Sequence, residues 1–166
     1  MGRHSRSGRA RTALAAGSLA AVGIVAILAG PAAQAATTSP AGSTAPARVA
    51  GTPCTASAHA CVDLTLKQAW LIADGTVTRG PVRIEPGDAQ DPTPVGTFDV
   101  QWKDQNHVSD MPNRAPMPFS VFFADGGVAF HEGSMTNPSY GCVHLQHDDA
   151  VAFFNTLQVG DEVQVH

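Results

Sequence analysis

The sequence predicts a mainly β domain, a sandwich or partly closed barrel carrying one short covering helix. Three observations point there. Apolar residues from Val62 onward recur with the period of a strand far more often than with that of a helix. Asp-Gly pairs interrupt this alternation where tight hairpin turns belong, because both residues tolerate positive φ. A single segment near the C-terminus lines its apolar residues along one helical face.

Each element follows in order. "VDLTL" at 62–66 alternates as a strand, and "WLIADGTVTRGPVRI" at 70–84 reads as two strands joined at Asp74-Gly75. After the Pro-rich turn "DPTPVG", the stretch "GTFDVQW" at 96–102 is a further strand. Residues 103–117, "KDQNHVSDMPNRAPM", are polar with two prolines and predict a long loop, either bordering a binding site or without function. "FSVFFADGGVAF" repeats the hairpin around Asp125-Gly126-Gly127. Asp148 is placed to cap a helix over 148–157, with Ala150, Val151, Phe153, Phe154 and Leu157 along one face. The stop near Gly160 leaves "DEVQV" as the last strand. Trp70, Trp102, Phe98, Phe119, Phe122, Phe123 and Phe130 are expected in the core or on strand faces. No internal repeat is found.

The chain ahead of this domain has a different composition. Arg3, Arg6, Arg9 and Arg11 open it without an acid, an apolar and small-residue run follows from Ala13 to Ala29, and Ala33-Gln34-Ala35 forms a small-x-small site. Residues 1–35 are therefore expected to be a secretory signal peptide, the alternative being an uncleaved anchor. Residues 36–56, mostly Ala, Thr, Ser, Pro and Gly, predict a flexible linker, because such a stretch cannot offset its ordering entropy by burial. The domain is then 57–166, a normal size for one core. Beyond residue 35 lie all fourteen acids but only six of the ten basic residues, a net charge of −8. Without a basic patch, nucleic acid is excluded as a partner class.

Export places the three cysteines where disulfides persist. Cys54 and Cys61, seven apart, are expected to bridge and close a small loop, the alternative being two free thiols. Cys142 is left over, and an unpaired cysteine in an exported chain implies intermolecular pairing or a reactive thiol.

Residues 131–145, "HEGSMTNPSYGCVHL", hold the densest chemistry. His131 ends the strand "GVAF", and Cys142 follows eleven residues later. A cysteine nucleophile needs its thiolate, and an imidazole nearby can take the proton. Glycine before the cysteine lets the backbone turn tightly, so the N–H groups of Tyr140, Gly141 and Cys142 can converge as an oxyanion hole. Ser139 is then a loop-fixing hydroxyl or a substrate hydrogen-bonder.

"TPVGTF" at 93–98, the strand ending "AFHEGS", then "PSYGCVHL" and a following helix together resemble the L,D-transpeptidase catalytic domain of YkuD type, in order from about Val62 to Val165. The resemblance implies a mostly β sandwich with a small helix and an exported enzyme that cross-links peptidoglycan. It further implies that Cys142 is the nucleophile, His131 the general base, and a backbone carbonyl of Glu132 or Gly133 the group that orients the base. The family signature commonly reads Ser/Thr-His-Gly-Cys with Arg or Asn two places on. Here Tyr140 stands in place of the His and His144 in place of the Arg. If position 144 engages a substrate carboxylate, an imidazole does so less well than a bidentate guanidinium, which implies a weaker enzyme or a different acceptor.

The implied partners are the stem peptides of peptidoglycan, a donor tetrapeptide and an acceptor amine, with carbapenem-type compounds as inhibitors. A monomer is expected, and no cofactor is needed, since thiolate, base and oxyanion hole supply the chemistry. Hydrolysis of the same thioester would make an L,D-carboxypeptidase instead. Two rival readings remain: a zinc site from His131, Cys142, His144 and His147, and a non-catalytic wall-binding module of the same fold.

Overall fold

The computed structural model describes residues 46–110 and 114–166. The expected signal peptide, most of the expected linker and residues 111–113 of the expected loop at 103–117 fall outside the described residues. Among the described residues nine strands and one helix follow in the order β1 (Ala60–Asp63), β2 (Gln68–Ala73), β3 (Thr76–Arg83), β4 (Gly96–Asp99), β5 (Trp102–Val108), β6 (Pro116–Ala124), β7 (Val128–Glu132), β8 (Val143–Leu145), α1 (His147–Thr156) and β9 (Glu162–Val165). They form two sheets, β3-β2-β1-β9-β4 and β5-β6-β7-β8. The predicted mainly β class with one short helix is what the chain adopts.

The hairpins form where turn chemistry requires. Asp74 and Gly75 both take positive φ (51° and 70°), which matches the right-handed twist of β2 and β3. Gly126 and Gly127 do the same (79° and 80°) between β6 and β7. The apolar faces of the two sheets meet, with α1 against β6 and β7. Phe123, Phe130 and Phe153 are sealed there and meet in series as tilted rings, Phe123 against Phe130 at 4.7 Å and Phe130 against Phe153 at 5.1 Å. Each such ring contributes roughly 2–3 kcal/mol through burial.

Four expectations need correction. "VDLTL" does not run as one strand: β1 ends at Asp63, whose carboxylate accepts from the Leu66 N–H at 2.8 Å, and Leu66 is exposed in the turn that follows. "GTFDVQW" is broken at Val100-Gln101, so that β4 pairs with β9 in one sheet and β5 with β6 in the other. Much of the expected loop from Lys103 is strand β5, in register with β6 from Trp102↔Phe122 to Val108↔Pro116. Its polar sequence fits an edge strand, whose outer face and edge meet water. The helix begins at His147 with Gln146 at its cap and no side-chain cap bond; Asp148 lies one residue inside, in the first turn. There it and Asp149 favour the positive end of the helix dipole, and Asp149 also meets Arg79 at 2.7 Å.

A second, smaller core lies outside the 5-stranded sheet. Cys54 and Cys61 are joined by a disulfide, buried with Val49, Trp70 and Ile72. Composition placed residues up to 56 in a linker, yet Val49 is only 4% exposed, and its N–H donates to the Cys54 carbonyl at 2.8 Å.

Candidate active site

The pairing of β7 with β8 builds the site. These strands are parallel, with Phe130↔Val143, His131↔His144 and Glu132↔Leu145 in register. A parallel pair cannot be joined by a tight turn, so the chain must travel back over residues 133–142 before β8 begins. That return brings Cys142 to the head of β8, diagonally across from His131. Alternation along a strand puts Cys142 and His144 on one face, with Val143 turned into the core between them. His131 faces His144 directly, ring to ring at 4.8 Å and nearly perpendicular. All three side chains line one cavity of about 680 Å³.

The other wall is aromatic. Trp102 stacks on Phe122 at 3.7 Å, and His107 meets both rings edge-on at 5.4 Å and 5.0 Å. Trp102 was expected in the core or on a strand face; it is 43% exposed at the cavity, because β5 is the outermost strand of its sheet. His107, expected within a loop, lies on β5 and lines the same cavity. In the sequence Trp102 closed a predicted strand and His107 fell in the loop read as bordering a binding site or without function; what it did not show was the pairing of β5 with β6 that brings the two together.

The return connection is held by contacts distant in sequence. Gly87 bridges Ser139, whose N–H donates to Pro86 O at 3.2 Å, and Glu85 bridges His144 in both directions at 3.1 Å and 2.9 Å. A Cβ on Gly87 would stand 2.0 Å from the Asp91 carbonyl oxygen and 2.9 Å from the Gly141 nitrogen, so only glycine fits. The Ser139 hydroxyl donates to the Cys142 carbonyl, which fixes the turn that Gly141 makes at φ 99°. The N–H groups of Tyr140, Gly141 and Cys142 make no hydrogen bond among the described residues.

His131 is buried, and its Nδ1 donates to the Glu132 carbonyl at 2.7 Å. A carbonyl can only accept, so Nδ1 carries the proton and Nε2 keeps its lone pair. Of the two carbonyls considered, Glu132 makes this contact; Gly133 is used differently, its N–H donating to Leu145 O at 3.1 Å. Burial pushes the His131 imidazole down to about 4, against the opposing pull of the Glu132 contact and aided by His144 and His107. Cys142 is a free thiol. Burial pushes it up, partly offset by the Ala129 backbone. Its Sγ lies 3.6 Å from the Gly127 carbonyl.

His144 donates from Nδ1 to the Ser134 carbonyl at 2.9 Å. Gly133 packs flat against its ring; a Cβ there would stand 2.5 Å from Cδ2. His147 points elsewhere and meets the Glu132 carboxylate at 2.9 Å, which raises its pKa. Among the described residues, no three His, Cys, Asp or Glu side chains converge as metal ligands.

The family model for the L,D-transpeptidase catalytic domain (YkuD) matches residues 57–165. Among solved structures, an L,D-transpeptidase from Stackebrandtia nassauensis is 28% identical with a TM-score of 0.60, covering 64% of this chain and 54% of its own. One from Mycobacterium smegmatis is 25% identical with a TM-score of 0.61, covering 68% and 59%. L,D-transpeptidase 3 from Mycobacterium tuberculosis, in complex with a faropenem-derived adduct, shares the fold at 20% identity, with a TM-score of 0.57 and coverage of 64% and 59%. The chain thus spans little more than half the length of each. No curated protein matches the sequence. With its two-sheet fold and a model match over most of its length, the chain belongs to the L,D-transpeptidase catalytic domain family.

Proposed function

We propose that the domain is an exported L,D-transpeptidase, a cysteine acyltransferase that forms 3→3 cross-links between peptidoglycan stem peptides in the cell wall. The observation that carries this reading is the placing of Cys142 and His131 on one face of adjoining strands, both opening to one cavity. Burial leaves sulfur and imidazole both neutral at rest. The thiol proton therefore passes to His131 Nε2 as attack proceeds, rather than from a preformed ion pair.

Sγ attacks the carbonyl of the third residue of a tetrapeptide stem, a diaminopimelyl centre. The uncommitted N–H groups of Tyr140, Gly141 and Cys142 receive the oxyanion. Collapse breaks the amide bond to the terminal D-Ala, which takes the proton back from His131 and leaves a thioester on Cys142. An acceptor amine then displaces the sulfur and forms the cross-link. Ser139 keeps the turn in place through its bond to Cys142 O, and His144 faces the substrate. A carbapenem would acylate the same sulfur, a reading supported by the L,D-transpeptidase solved in complex with imipenem and by the one carrying a faropenem-derived adduct.

The test is product mass. The mature domain and a Cys142→Ala control are incubated with disaccharide-tetrapeptide. A dimer lacking D-Ala, absent from the control, supports the transpeptidase. A monomeric tripeptide identifies the L,D-carboxypeptidase, and unchanged substrate in both samples identifies a wall-binding module. Export is tested separately, by locating the full chain and an Arg-depleted leader variant in wall and cytoplasmic fractions.

A further inference from the structure

Three imidazoles line the cavity: His107 on the aromatic wall, its Nδ1 on the Asp104 carboxylate at 3.4 Å, and His131 and His144, which meet each other on the wall that carries Cys142. In each of His131 and His144, Nδ1 is bonded to a backbone carbonyl, at 2.7 Å and 2.9 Å. In each, the same tautomer follows, with the lone pair on Nε2. Among the described residues neither Nε2 has a hydrogen-bond partner and no side-chain nitrogen or oxygen is both buried and unpaired, so neither Nε2 is sealed from solvent. The two rings touch at 4.8 Å, and both line the cavity beside Cys142. His144 is clamped as firmly as His131, by Gly133 on its face, Ser134 at Nδ1 and Glu85 on its backbone.

Acyl transfer to an amine leaves one proton that His131 cannot absorb. At neutral pH an alkylamine acceptor arrives as an ammonium ion with no lone pair. It must shed one proton before attack and a second as the tetrahedral intermediate forms. The second goes to His131 and returns to the departing sulfur, which closes the cycle at that residue. The first needs another base.

We propose that His144 Nε2 is that base: it takes the first proton from the acceptor ammonium. This inference rests on the acyltransferase reading above. In the step, the acceptor N–H bond breaks toward His144, the C–N amide bond forms and the C–S thioester bond breaks. Sulfur leaves as the thiol with the proton relayed by His131, and His144 passes its own proton to water. A guanidinium at the same position could hold a carboxylate but has no lone pair to offer.

The experiment reads how a preformed Cys142 thioester partitions between two acceptors, which is independent of how fast the thioester forms. One acceptor is an alkylamine carrying an ammonium at neutral pH; the other is hydroxylamine, which arrives unprotonated. In His144→Gln, transfer to the alkylamine is expected to fall on the order of a hundredfold relative to transfer to hydroxylamine. His144→Asn, shorter and checked for folding by thermal melting, is expected to show the same shift. Equal change for both acceptors, the pattern of a structural or carboxylate-holding role, overturns the inference alone. Absence of any thioester on Cys142 in the unaltered protein overturns the acyltransferase reading and this inference together.

Discussion

His131 donates its Nδ1 proton to the carbonyl of the next residue, Glu132, at 2.7 Å, and this contact determines which nitrogen is left to react. The partner is a backbone group, so it cannot be lost by a side-chain substitution. It also cannot stabilise an imidazolium as strongly as a carboxylate would. Burial consequently prevails over the hydrogen bond, and the imidazole stays neutral well into the acid range.

The first prediction concerns activity against pH. His131 must be neutral to accept the thiol proton. Its pKa is lowered from 6.5 to about 4, so the competent form persists above that value and is lost as pH falls through it. The rate of Cys142 acylation should stay level from neutral pH down to about pH 5 and then fall. Stopped-flow acylation by a carbapenem across this range measures it, and an acid limb centred near 6.5 would show that burial does not lower the imidazole. Because His144 is one of the causes of the lowering, His144→Asn should move the limb upward.

The same group makes the fold sensitive to acid. In the unfolded chain His131 titrates near its ordinary 6.5, whereas in the folded domain it resists protonation down to about 4. Stability from this source is complete above the unfolded value and is lost as pH falls through the window between the two. The loss amounts to about 3 kcal/mol. Urea denaturation at both ends of the window should show it, and His131→Asn should lose much less across the same interval.

Gly87→Ala tests a residue far from the motif in sequence. The new Cβ would meet the Asp91 oxygen at 2.0 Å and the Gly141 nitrogen at 2.9 Å, so the backbone around Gly141 must shift. Melting should report a loss of roughly 1–3 kcal/mol. Acylation of Cys142 should fall at least tenfold, because a displaced N–H stabilises the oxyanion poorly. Full acylation rate with a lowered melting temperature would show that the turn at 139–142 holds without Gly87.

Removing the disulfide should separate stability from chemistry. The Cys54–Cys61 bridge closes a loop of sequence separation 7, on the sheet opposite the one bearing Cys142. Replacing both cysteines by serine should cost about 2–3 kcal/mol by loop-closure entropy, read as a lowered melting temperature. Below that temperature, the acylation rate of Cys142 should be unchanged.

The hairpin turns, the period of the strands and the single helix were legible because each depends on neighbours in sequence. Asp74-Gly75 and Asp125-Gly126-Gly127 needed only local φ preferences to identify them. Strand β5 was missed because an edge strand with polar residues alternates weakly, and its pairing partner β6 begins only at Pro116. The helix cap was misplaced by two residues because two acids in a first turn resemble a cap when no backbone is at hand.

Taken alone, residues 131–145 determined the chemical types available: one unpaired thiol, two imidazoles within reach along the chain, and a glycine before the sulfur. Only the tertiary structure decided how they meet. Parallel pairing of β7 with β8 set His131 against His144 and brought Cys142 onto their face. Gly87 and Glu85, more than fifty residues upstream, hold the turn and the strand that carry the reacting groups. Local sequence encodes side-chain chemistry and short-range backbone preference, whereas register, burial and the resulting shift in proton affinity arise from strands that pair across long separations.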